Sequence, residues 1–152
     1  MSLRYDNLCF MKNTAVELDG IRILGTTLWT DIPNDEVASI VEDFLNDYYL
    51  IYVDSDNRKS RKIRARDTSQ LHAEQLDWLK SQLNIAYGMP TIVLTHHTPS
   101  MTGTSNPVHE FASKPDWYRL HGFSSDLNYL IAACPYLICW AYGHTHSNNI
   151  QE

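Results

Sequence analysis

Short apolar runs that end in histidine are the feature that most limits how this chain can fold. TIVLT (91–95) stops at His96 and His97, and YLICWAY (136–142) stops at Gly143, His144, Thr145 and His146. The first run is continuous, as in strands buried on both faces. Between the two, Leu127, Leu130, Ile131 and Cys134 recur at i, i+3, i+4 and i+7. That is a helical period, with Ser124 as its cap and Pro135 as its stop. Helix and strand alternate, which places the chain in the α/β class.

The first half repeats the alternation less cleanly. IRILGTTLW (21–29) reads as a strand rich in β-branched and apolar residues. Val37, Ile40, Val41, Phe44 and Tyr48 recur at helical spacing behind an Asn34 N-cap, with Asp35 and Glu36 in the favourable first turn. YLIYV (49–53) reads as a second strand, and a helix is expected from Thr68 or Ser69 to about Leu83. His72 shares the face of Leu76, Leu79 and Leu83 and is expected to pack there rather than bind a ligand. Residues 98 to 122, with Pro99, Gly103, Pro107 and Pro115, form a long irregular segment of the kind that often serves as a lid. His109 and His121 are read as surface residues on it.

A length of 152 residues suits one domain, and 43% hydrophobic with 20% charged residues is the balance of a globular protein. The net charge of −6 argues against nucleic-acid binding driven by overall charge. Six of the twelve basic residues fall in DSDNRKSRKIRARD (54–67), where three aspartates interleave with them; a solvated hairpin or loop is expected. Cys9, Cys134 and Cys139 are odd in number and form no CxxC, so reduced thiols, with Cys134 and Cys139 buried, are expected in a cytoplasmic protein. The opening residues hold no apolar stretch of signal-peptide length. The stretch from Leu127 to Tyr142 is broken by Asn128 and Pro135, so no membrane span or membrane partner is expected.

In open α/β sheets, ligands bind outside the carboxyl ends of the strands. His96 follows one strand, and His144 and His146 follow another, so separate strands deliver imidazoles toward one edge. Imidazole suits zinc, iron and other transition ions. Residues two apart can turn the same way, and Gly143 permits a tight backbone there. The HxHxDH pattern of a metallo-β-lactamase-like site is missing, and GHTHSNN stops short of a histidine triad.

The segments DGIRILGTTLWTDI, VLTHHTPS, FSSDLNYLI and WAYGHTHSN resemble, in order and spacing, the second half of the small bacterial-type calcineurin-like metallophosphoesterases. The resemblance covers nearly the whole chain. It implies a four-layer sandwich of two sheets between helices, of which this chain would hold mainly the second sheet with its flanking helices. It also implies hydrolysis of a phosphate ester at a dinuclear metal centre. By motif match His96 and His144 would bind one metal and His146 the other, a divalent manganese, iron or zinc. His97 would be a substrate contact. No catalytic group is assigned.

The DxH, GDxxD and GNH blocks that open this family are absent, so by this resemblance the chain is expected to correspond to a C-terminal portion. Two divalent ions about 3.5–4 Å apart repel strongly and need bridging oxygens and anionic ligands. Three neutral imidazoles bring no charge, so at most one ion is expected here. The chain alone is expected to be weak or inactive, and the uncovered sheet to promote self-association. The alternative reading is a non-catalytic metal-binding or interaction module.

Overall fold

The computed structural model describes residues 8–54, 60–85, 88–103 and 114–146. Strands β1 (Thr14–Leu18) and β2 (Ile21–Gly25) form a hairpin. Helices α1 (Asp35–Phe44) and α2 (Asp47–Leu50) follow, then a small hairpin of β3 (Tyr52–Asp54) and β4 (Ser60–Lys62). The long helix α3 (Ala65–Ile85) leads to β5 (Thr91–Leu94); α4 (Lys114–Leu120), α5 (Asn128–Ala133) and β6 (Leu137–Ala141) complete the order. The main sheet runs β1-β2-β5-β6, antiparallel at β1–β2 and parallel at β2–β5 and β5–β6. The protein is therefore mixed α/β. No helix among the described residues is long and apolar enough to cross a membrane.

Each face of the sheet follows from strand alternation. Leu24 and Val93, paired across β2 and β5, point to one side and are fully buried against Leu79 and Leu83 of α3 and Leu127 before α5. The register places Leu18, Ile23, Leu94 and Cys139 on the other side, where Leu18 is 60% exposed. A second cluster, Val37, Val41, Leu45, Tyr48, Ile63 and Ala65, joins α1 and α2 to the start of α3.

Several expectations are corrected. YLIYV is not one strand: Leu50 and Ile51 donate N–H bonds to the carbonyls of Asn46 and Asp47, closing α2 before β3 begins. A run that short has no periodicity to separate the two forms. Helix α3 starts at Ala65, ahead of Thr68 and Ser69, because the Glu42 carboxylate from α1 accepts the Ala65 N–H at 2.7 Å and Asp67 accepts that of Arg64 at 2.9 Å. Ser124 bridges to Thr98 instead of capping α5, which Leu127 precedes. The irregular segment contains α4. Cys139 is exposed rather than buried, since it lies on the sheet face that carries Leu18; all three cysteines are free. The basic stretch is a hairpin in its described part, where Arg61 grips Asp67 through two bonds of 2.6 and 2.8 Å and Arg64 pairs with Glu42 at 2.7 Å.

The hairpin β1–β2 is missing from the sequence expectations. Its signal is Asp19–Gly20, whose φ values of 49° and 79° suit a tight turn between right-twisted strands. By contrast, Asn34 caps α1 as expected, its side chain accepting the Val37 N–H at 3.0 Å.

Candidate metal centre

Strands β5 and β6 end side by side, so the turns that follow them are neighbours. Backbone bonds lock these turns together. The Thr27 carbonyl accepts from the N–H of both His96 and His97, at 3.1 and 3.3 Å, and the His96 carbonyl accepts from Gly143 at 3.0 Å. The Thr95 hydroxyl donates to the His97 carbonyl at 2.7 Å and accepts from the Trp140 indole at 2.9 Å.

The result is a packed group of three imidazoles. His96 and His144 have ring centroids 4.7 Å apart, His97 and His144 4.3 Å, and His96 and His97 5.1 Å. Trp29 packs on the far side of His97 at 5.0 Å, and Phe123 packs on His144 at 5.2 Å. His97 is only 1% exposed, whereas His96 faces solvent. His146 is exposed and makes no ring contact with the other three. The structure thus joins two of the three ligands expected from sequence, His96 and His144. It adds His97, read there as a substrate contact; His146 stays outside the ring cluster but acts on His144 electrostatically. His109 lies outside the described residues.

The free nitrogens are more informative than the ring distances. His144 bonds to the Gly122 carbonyl, and since its Nε2 is buried without a hydrogen-bond partner, Nδ1 carries that proton. His97 has the same arrangement: Nδ1 faces the Thr27 carbonyl at 3.5 Å, and Nε2 is buried and unpartnered. Each ring therefore keeps an unshared Nε2 lone pair, the tautomer that a metal ligand needs. Burial holds the His97 ring well below the usual imidazole range, and the nearby His144 and His96 push it the same way. Burial lowers His144 too, with His96 adding to it. Both rings are neutral donors at neutral pH.

The backbone around β6 departs from expectation. The left-handed conformation falls on His144 (φ 66°) and His146 (φ 54°), not on Gly143. Non-glycine residues take this region rarely and at a cost. The donor set is also incomplete: among the described residues no three His, Cys, Asp or Glu side chains are arranged to hold one ion.

No family model matches the chain, and no solved structure matches it. A protein of Acanthamoeba polyphaga mimivirus, called uncharacterized, is 32% identical over 149 residues. The match takes in 96% of this chain and 51% of that protein, so the chain spans about half the length of the curated relative it matches. That relative's name assigns it no activity.

Proposed function

We propose that this chain supplies the imidazole ligands of a metal-dependent phosphate-ester hydrolase of the calcineurin-like type, and that it is weak or inactive alone. One observation carries the reading. The Nε2 of His144 lacks a partner beside His96, at the carboxyl ends of two parallel strands, while the Gly122 carbonyl fixes its tautomer. A buried acceptor with no donor costs about 1–3 kcal/mol, and a bound cation would remove that cost.

The donors present fit one transition ion in part. His96 and His144 would hold it, with His97 packed behind them. The Asp47 carboxylate acts on His144 electrostatically, but among the described residues no group of three ligands is arranged for one ion, so further charge-neutralising ligands would have to come from elsewhere. When bound, a divalent ion acts as a Lewis acid on a phosphoryl oxygen. The residues of this chain hold the ion, keep both rings neutral, and exclude water behind them with Trp29 and Phe123. The sandwich architecture and self-association through the Leu18 face belong to the same proposal; sedimentation at high concentration showing only monomer would count against the latter.

The test is twofold. Equilibrium dialysis with manganese or zinc should find one ion per chain, lost in both His96→Ala and His144→Ala. A chromogenic phosphodiester should turn over little with added manganese. Full retention of metal in His144→Ala overturns the site. Fast turnover abolished by that variant overturns the proposed inactivity alone.

A further inference from the structure

Beyond Trp29 from the imidazole group lies a cleft of about 540 Å³, walled by α3, α4 and the start of α5. That volume suits a small molecule. Its lining differs in chemistry from the histidine site. The ionised side chains facing it are Asp31 and Asp126, both exposed and with no ion pair among the described residues. Among the described residues no lysine or arginine lines it.

Two imidazoles also face the cleft. His72, 5% exposed, bonds through Nδ1 to the Trp29 carbonyl. A carbonyl can only accept, so Nδ1 carries the proton and Nε2 is left as an acceptor that no described residue engages. His121 meets the Asp31 backbone and also lines the cleft. Burial lowers the pKa of both rings, so both are neutral at pH 7. Exposed Trp117 and Tyr129 supply aromatic walls, and buried Leu127 and Met101 an apolar floor. Lys80 already places its ammonium 5.7 Å from the centre of the Tyr129 ring.

We infer that this cleft binds a small organic cation, a primary ammonium on a short apolar or aromatic stem. Two carboxylates outside any ion pair of the described residues and the His72 acceptor favour a ligand rich in N–H donors, and the aromatic walls favour a positive charge over a neutral one. An anion would meet the two carboxylates of the lining, opposed by the Lys80 ammonium at the Tyr129 ring. A bare metal ion would not find three ligands arranged for it. The inference stands apart from the proposed metal centre and uses none of its histidines.

Isothermal titration with benzylamine, and with benzyl alcohol as its uncharged match, tests this on the full chain. Benzylamine should bind one to one and saturably, and benzyl alcohol about tenfold or more weakly, a difference near 1.4 kcal/mol. The double variant Asp31→Asn/Asp126→Asn should weaken benzylamine by about tenfold while the melting temperature is unchanged. The charge-matched control Glu17→Gln/Asp19→Asn, on the β1–β2 hairpin, should leave binding intact. Equal binding of amine and alcohol would reduce the cleft to an apolar pocket and overturn the inference. So would equal loss in the control variant, which would mean attraction by net charge alone, or a titration that never saturates.

Discussion

His97 and His144 on one side of Trp29, and His72 and His121 on the other, share one device and differ in one respect. All four rings meet a backbone carbonyl, which fixes the tautomer. In His97 and His144 the second nitrogen is sealed from water without a partner; in His72 and His121 it is not. An acceptor open to a cleft is solvated at little cost. A sealed one is a standing penalty that folding alone does not explain. The difference separates imidazoles whose second nitrogen can be solvated from imidazoles whose second nitrogen cannot.

The largest expected effect tests that separation directly. Manganese or zinc at a hundredfold excess over its dissociation constant should stabilise the protein by about 2.7 kcal/mol, read as a shift in urea midpoint. His144→Ala should abolish the shift, whereas His72→Phe should retain it. Loss of the shift in His72→Phe alone would mean that the two groups of imidazoles are not distinct.

Next comes a like-for-like substitution without metal. His72→Phe leaves the Trp29 carbonyl without its donor beneath α3 and should cost about 2 kcal/mol. His97→Phe should change stability by less than about 1 kcal/mol, or raise it. It removes the sealed nitrogen, and the Thr27 carbonyl keeps its two backbone donors. Equal costs for the two variants would show that the His97 Nε2 is satisfied after all.

How much of this arrangement could be read beforehand depends on how local its cause is. The strands β5 and β6, the Asn34 cap and the placing of His96 beside His144 follow from runs and spacings within a few residues. The partner of His72 does not: Trp29 lies 43 residues away, and only packing of α3 against the segment after β2 brings them together. The early start of α3 depends likewise on Glu42 from another helix. The pairing of His97 rather than His146 with His144 was hidden because a period-two argument assumes extended backbone, and the left-handed turn at His144 breaks it.

A smaller effect is the pH dependence. The folded pKa values of His72 and His121 lie below the free-imidazole value of 6.5. The unfolded chain therefore takes up protons first as pH falls, and stability should decline below about pH 6.5 and level off once the folded rings also protonate. Above that range these two groups contribute no slope. Urea midpoints at pH 7.5 and 5.5 should differ less in His72→Phe than in the natural chain. An unchanged difference would mean that His72 titrates freely in the folded protein.

The smallest effect concerns the odd member, His146. It is exposed, it contacts none of the other rings, and its φ of 54° lies where an L side chain crowds the following carbonyl. That crowding costs about 1–2 kcal/mol, and glycine returns about 0.5–1 of it as extra unfolded-state entropy. His146→Gly should therefore stabilise the metal-free protein by about 0.5 kcal/mol. Metal affinity decides what the strain is for. If the turn exists only to present His144, the glycine variant should bind manganese as well as the natural chain. A drop of tenfold or more would return His146 to the ligand set, and the strained backbone would then be a histidine held ready for an ion shared with carboxylates from outside the described residues.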